Sequence, residues 1–194
     1  MGQLLDRMIR AAKLDAKIYI EVEADATATR QALFIVLLFS ICSGIGFGFA
    51  DLFTPDTEYF FVRMFTVLVG ALVFWLLWSR IIYFVGTTVF RGPKAPWRSI
   101  ATYSELLRSV GFAATPGTLM IFAFVPFPVG GIITLIAGVW MFTATVIAVR
   151  QSLDFSTGRA ISSCVVAGAI YMLLLIGLIV LLSILLHLDW TVAY

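Results

Sequence analysis

Residues 161–188 read ISSCVVAGAIYMLLLIGLIVLLSILLHL, and this stretch decides the class of the protein. It contains no Asp, Glu, Lys or Arg, and its one histidine, His187, stands at its far end. A bilayer core about 30 Å thick is crossed by about 20 apolar residues in helical conformation. The stretch is therefore long and apolar enough to span a membrane as a helix.

The composition of the whole chain agrees with that reading. Of its 194 residues, 61% are hydrophobic and 12% are charged, whereas a soluble domain carries about 25% charged residues. The formal net charge is only +2, which gives no indication of a nucleic-acid partner. Composition predicts an all-α membrane protein, with membrane lipids as its first partners.

Three further apolar stretches precede the last one, at residues 32–53, 61–90 and 110–149. The third is interrupted by the sequence PFPVGG at 126–131, a cluster that breaks helices and forms tight turns. The third stretch is therefore predicted to form two helices, and the chain is predicted to form a bundle of five spans. A helix over 104–125 is about 33 Å long, and a re-entrant pair around the proline turn remains an alternative.

Apart from Arg63 and Arg80 inside the second span, the cationic residues lie in alternate segments between the spans. They occur before the first span and around the loops that join spans two to three and four to five: Arg7, Arg10, Lys13, Lys17, Arg30, Arg91, Lys94, Arg98, Arg108, Arg150 and Arg159. Segments 51–58 and 189–194 contain no Lys or Arg. Because cytoplasmic loops carry the excess of Lys and Arg, the N-terminus is predicted in the cytoplasm and the C-terminus on the exterior.

Residues 1–30 are predicted to form a separate cytoplasmic segment before a membrane domain at 31–194. Apolar residues recur at helical spacing opposite three cations; they are Leu4, Leu5, Met8, Ile9 and Ala12, against Arg7, Arg10 and Lys13. Such a pattern is typical of an amphipathic helix in the headgroup region, with its cations toward anionic lipid. A helix packed on the protein's own loops is the alternative.

The sequence offers no arrangement typical of a membrane enzyme. It has no H-E-x-x-H and no G-x-S-x-G motif, and Cys42 and Cys164 form neither a C-x-x-C pair nor a zinc spacing. We therefore expect no catalytic residue, no metal and no cofactor.

Arg80 is the cation deepest inside an apolar stretch. Its long side chain could reach the cytoplasmic headgroups from there, or it could belong to a polar site inside the membrane. Gly44, Gly46 and Gly48 give the first span a small face for close helix packing. Pro116 predicts a kink in the third span.

The least common residues gather in the two predicted cytoplasmic loops. A capping box is expected from Thr102 and Glu105, and ion pairs are expected between Glu105 and Arg108 and between Arg150 and Asp154. The candidate interaction face comprises Tyr103, Glu105, Arg108, Arg150, Asp154 and Arg159.

Two segments of the chain resemble the Yip family of Ypt/Rab-interacting membrane proteins and their prokaryotic relatives. They are ATYSELLRSVGFAATP at 101–116 and AVRQSLDFSTGRAI at 148–161. The resemblance implies five spans, a cytoplasmic N-terminus and, for a bacterial-type member, the inner membrane. Eukaryotic members bind prenylated Rab GTPases, but the DLFTP sequence at 51–55 follows the first span on the predicted exterior, so Rab binding is not carried over.

Together these features predict a non-enzymatic protein of the bacterial inner membrane. We expect it to organise the membrane or partner proteins through helix packing and a cytoplasmic face, as a homo-oligomer or within a larger membrane complex. The alternative is a small transporter or channel that uses Arg80 and the kinked third span.

The predicted orientation can be tested by labelling single cysteines in intact cells. An impermeant thiol reagent should label cysteines at Thr57 and Val192, because both positions lie on the predicted exterior. A cysteine at Ser99 should stay unlabelled until the cells are opened. Labelling at Ser99 without labelling at Thr57 would reverse the orientation.

Overall fold

The computed structural model describes residues 2–51, 60–90 and 101–192. These residues form seven α-helices and one 3₁₀ helix, and they contain no β-strand, which confirms the all-α prediction. The helices are α1 Gly2–Ala12, α2 Ala16–Ala24, α3 Ala28–Asp51, α4 Phe60–Thr88, α5 Tyr103–Ala113, the 3₁₀ helix Thr115–Phe124, α6 Val129–Ser152 and α7 Thr157–Val192.

Four helices are long and apolar enough to cross a membrane: Ala28–Phe49, Met64–Thr88, Val129–Ser152 and Thr157–Leu185. A fifth crossing is available if α5 and the 3₁₀ helix, which meet at a bend of 41°, act as one span. The membrane bundle is thus confirmed, while the number of five spans and the orientation stay predictions. The predicted loops at 52–59 and 91–100 lie outside the described residues.

The predicted kink lies at the junction of α5 and the 3₁₀ helix. Pro116 stands in the first turn of the 3₁₀ helix, where the N–H that proline lacks is not needed by the helix. The i to i+3 pattern is seen in the bonds from Gly117 N–H to the Ala114 carbonyl, 2.9 Å, and from Val125 N–H to the Phe122 carbonyl, 3.1 Å. At about 1.5 Å per α-helical and about 2.0 Å per 3₁₀ residue, the pair measures about 36 Å.

Helix α3 lies at the centre of the bundle and packs against both the 3₁₀ helix and α4. A methyl group placed at Gly46 would collide with the backbone carbonyl of Met120 in the 3₁₀ helix, and one at Gly44 would lie 3.3 Å from the Met64 side chain in α4. Gly48 is also buried. The small face of the first span therefore serves close packing within one chain.

The N-terminal hairpin of α1 and α2 packs onto the bundle. Ile18, Tyr19 and Val22 of α2 are fully buried in the same apolar core as Leu106 of α5 and Val149 of α6. The indole N–H of Trp140 in α6 donates to the Ala12 carbonyl at the end of α1, 2.8 Å away. The division of the chain at residue 30 stays a prediction, because a separate fold for residues 1–30 is not tested by these contacts.

Helix α7 packs mainly on α4 and α6. Its first half contributes Tyr171, whose ring meets that of Phe74 edge-on at 5.0 Å. Its second half exposes a continuous row of large apolar side chains from Met172 to Leu185. This half is the part of the bundle most open to lipid.

The close packing of α3 predicts a large difference between two Gly→Ala changes. Gly46→Ala should destabilise the protein by about 1–3 kcal/mol, because the new methyl group meets a backbone carbonyl that cannot rotate away. Gly70→Ala is the control, since a methyl group there meets no atom within 4 Å. Thermal unfolding in detergent should show a lower melting temperature for Gly46→Ala alone, and equal values would contradict the packing described.

Candidate functional site

The predicted cytoplasmic face is built around the start of α5. Thr102 is the N-cap, and its backbone N–H donates to the Glu105 carboxylate at 2.6 Å. This reciprocal capping satisfies backbone donors that the helix itself cannot pair. The predicted capping box is therefore confirmed, and it fixes the carboxylate of Glu105 at the helix end.

Arg108 has a different partner from the one expected. Its side chain is buried and donates to the carbonyl of Val22 at 3.1 Å and to that of Glu23. The last carbonyls of a helix lack intrahelical partners, and a cation beside them is favourable. The expected ion pair between Arg108 and Glu105 is wrong, because both side chains are engaged by backbone groups instead.

The turn from α6 to α7 also differs from the expectation. Asp154 lies past the end of α6 with φ 51°, and the N–H of Phe155 donates back to the Arg150 carbonyl at 3.0 Å. This is a Schellman-type end with Asp154 in the left-handed position that glycine usually takes. Arg150 and Asp154 are therefore not neighbours on a helical face, and the Arg150 guanidinium reaches the Thr157 hydroxyl at 3.4 Å.

A buried hydrogen bond joins the two loop regions. The hydroxyl of Ser152, at the end of α6, lies 2.9 Å from the hydroxyl of Ser109 in α5. Both side chains are buried. This contact holds the start of α5 close to the α6–α7 turn.

The contacts of α2, α5 and the α6–α7 turn enclose a polar cleft of about 290 Å³. We call it the cytoplasmic cleft, after the side of the membrane on which it is predicted to lie; its lining residues are Ile20, Glu23, Ala24, Ala101, Glu105, Gln151 and Asp154. Glu105 and Asp154, from the two separate loops, thus share one site. Among the described residues no cluster of His, Cys, Asp and Glu is arranged to hold a metal ion.

The other candidate residues lie outside this cleft. The hydroxyl of Tyr103 donates to the Leu76 carbonyl of α4 at 3.1 Å, and the Arg80 guanidinium stands 5.1 Å from the centre of the Tyr103 ring. Arg80 and Arg159 are exposed. An exposed Arg80 stacked on tyrosine agrees with a side chain that reaches toward the headgroups.

Arg7 and Arg10 hold the N-terminal hairpin together. Arg7, only 3% exposed, donates to Glu21, Asp25 and Gln31, each at 2.9 Å. Arg10 donates to Glu21 at 2.8 Å and to Asp15 at 3.1 Å. The expectation that Arg7 faces lipid is wrong, because its charge is satisfied inside the protein, while Leu5 and Ile9 of α1 are exposed.

The network lowers the pKa of its carboxyl groups. The Arg10 guanidinium, helped by Arg7, lowers the pKa of Glu21. The hydroxyl of Thr27, followed by Arg7, lowers the pKa of Asp25. A carboxylate with a lowered pKa contributes stability that is complete above the pKa of the unfolded chain, about 4, and is lost as the pH falls through the folded value.

Sequence reasoning missed α2 as part of the site. The sequence did contain signals of this helix and its contacts. Asp15 caps α2 by accepting the Lys17 N–H at 3.0 Å. Glu21 and Asp25, farther along the chain, accept hydrogen bonds from Arg7. Ile20, Glu23 and Ala24 line the cleft only because α2 turns back onto α5. That return cannot be read from local periodicity.

The ion network predicts that α1 loosens when Glu21 loses its charge. Spin labels at Gln3 of α1 and Thr143 of α6, with Cys42 and Cys164 replaced by alanine, should give a narrow distance distribution at neutral pH. Glu21→Gln should broaden it, because one carboxylate serves both Arg7 and Arg10. Lowering the pH of the wild type through the lowered pKa of Glu21, which lies below the value of about 4 for free carboxyl groups, should do the same.

Asp6→Asn is the matched control for this change. Asp6 is exposed and its carboxylate lies 3.9 Å from Arg10, so its neutralisation should leave the distribution narrow, as expected for an exposed pair. If Glu21→Gln and Asp6→Asn behave alike, the network does not hold α1.

The comparisons with known proteins give one match. A family model described as the Yip1 domain matches residues 19–185. The matched range begins within α2, includes both segments that suggested the resemblance, and ends within α7. Neither the comparison with curated proteins nor that with solved structures gives a match.

Proposed function

The chain belongs to the Yip1-domain family, and from this premise we propose that it is a non-enzymatic protein of the bacterial inner membrane that binds partner proteins at its cytoplasmic cleft. The family match and the apolar helices make it a multi-pass membrane protein. The observation that carries the proposal is the meeting of Glu105 and Asp154 in one cleft with α2.

The cleft has features that favour recognition of another protein. It presents polar groups on a molecule whose remaining surface is largely apolar. Its walls are held by Arg108 and by the bond between Ser109 and Ser152. A site held in place in this way loses little conformational freedom when a partner binds.

The chemistry of the cleft supports a binding role more than a catalytic one. Among the described residues, those that line it include no serine, cysteine, histidine or lysine to act as a nucleophile. The Glu105 carboxylate already accepts the Thr102 N–H, and the Arg108 guanidinium is directed to carbonyls of α2.

The apolar surface suggests the other partners. The exposed half of α7 offers large aliphatic side chains along several turns, which suits contact with lipid chains or with a second copy in a homo-oligomer or larger membrane complex. Small residues and van der Waals packing drive such association in bilayers.

The transport alternative has less support. A transporter would need a polar path at the depth of its substrate, whereas Arg80 lies on an exposed surface and lines neither the cytoplasmic cleft nor the apolar cavity described below. The 3₁₀ helix, which has Pro116 in its first turn, packs against α3 and α6.

Site-specific photo-crosslinking in living cells tests the proposed function. A benzophenone amino acid at Gln151, which lines the cleft, should give discrete protein adducts. The same residue at Leu178, on the exposed half of α7, is the control and should not give those adducts. Asp154→Asn should weaken the adducts from Gln151, because it removes a charge while asparagine keeps the left-handed backbone.

Two kinds of result from these crosslinking experiments would contradict the proposal. Protein that melts as the wild type does, yet gives no adduct from Gln151 or gives the same adducts from Leu178, would exclude the cleft as the partner site. Adducts unaffected by Asp154→Asn would place the contact elsewhere on the cytoplasmic side.

A further inference from the structure

A second cavity, of about 340 Å³, lies between the helices of the bundle. We call it the membrane cavity. Its lining comes from α3, α4, α5, the 3₁₀ helix, α6 and α7, and it includes Phe74, Trp75, Trp78, Met120, Met141 and Tyr171. Aromatic rings and thioethers adapt well to flexible apolar ligands.

The membrane cavity lies near mid-depth in the bundle. Its lining falls at 71–78 of α4, at 138–145 of α6 and at 168–172 of α7, well inside each helix. Because a lipid headgroup stays near the membrane surface, only the chain of a lipid reaches this depth.

Two polar groups in the lining are already paired within the protein. The indole N–H of Trp75 donates to the Leu107 carbonyl at 3.1 Å, and the Thr145 hydroxyl donates to the Met141 carbonyl at 2.9 Å. A buried water needs two to four polar partners. If the cavity were empty, the atoms of its walls would lack dispersion contacts on that side.

The cavity opens to the outside of the bundle, because two of its lining residues are exposed. Phe142 of α6 and Met172 of α7 both line the cavity and are exposed, at 41% and 59%. Beyond Met172 the second half of α7 is exposed along its length. The opening between α6 and α7 is therefore directed at lipid chains, which are present there at the highest concentration.

We propose that the membrane cavity binds one acyl chain of a membrane lipid, which enters between α6 and α7. The chain fills the apolar space and its headgroup stays at the interface. This site is separate from the cytoplasmic cleft and does not rest on the function proposed for it.

Photolabelling of the purified full chain tests the proposal. The probe is phosphatidylcholine with a diazirine in the middle of one acyl chain, included in vesicles of phosphatidylethanolamine and phosphatidylglycerol. After irradiation, the label should be found on Trp75 and Met141, which line the cavity, as well as on outward residues of α7. Trp75 is only 7% exposed, so lipid around the bundle does not reach it.

Gly138→Phe should abolish the labelling of Trp75 and Met141. Gly138 lines the cavity, and a Cβ atom there meets no atom within 4 Å, so the new side chain starts in open space. Gly177→Phe in α7 has equally open surroundings but does not line the cavity, and it should leave the labelling unchanged.

A second pair of variants protects the test against misfolding. Ala71→Phe fills the cavity from the wall of α4, and Gly70→Phe, next to it but outside the lining, is its control. Loss of labelling in either cavity variant, but in neither control, supports the site. Label confined to α7 in the wild type, or label on Trp75 that survives both cavity variants, overturns it.

Discussion

The hydrogen bonds of the Arg108 guanidinium hold the N-terminal hairpin against the start of α5. A helix that ends against other helices must find partners for its last carbonyls, since unpaired buried carbonyls are costly. Arg108 supplies those partners for α2, through Val22 and Glu23. Helix α2 in turn carries Glu21, which holds Arg7 and Arg10 of α1. One side chain of α5 thus connects the N-terminal hairpin to the bundle and holds α2 where its residues line the cytoplasmic cleft.

Much of the architecture was open to prediction because it follows from local rules. The lengths of the apolar stretches predicted the membrane helices. The PFPVGG sequence predicted the turn before α6, and Thr102 with Glu105 predicted the start of α5. The position of the kink at Pro116 was also correct, but its 3₁₀ form was not foreseen, because such long 3₁₀ stretches are uncommon. The wrong predictions for Arg7 and Arg108 have a common cause. Both side chains find their partners on other helices, and residue spacing along one helix does not show which carbonyl or carboxylate of another helix lies nearby.

The two cavities of the bundle differ in the polarity of their linings. At one end of the helices, charged and polar groups surround a cleft that water can enter. Farther along the same helices, aromatic rings and thioethers surround a space in which the Trp75 indole and the Thr145 hydroxyl are already hydrogen-bonded to carbonyls. The same helices, α5 and α6, contribute to both, with Glu105 and Gln151 at one level and Val110 and Met141 at the other. Segregation by depth is what membrane helices require, because polar groups are tolerated only where they find partners.

The 3₁₀ helix at Thr115–Phe124 makes the bent pair longer than an α-helix of the same residues. Each residue rises about 2.0 Å in this form and about 1.5 Å in an α-helix, so its ten residues add about 5 Å. Bilayers of different lipid composition differ in thickness by a comparable amount. As a single span, the bent pair would therefore reach across a thicker bilayer than an α-helix with the same number of residues.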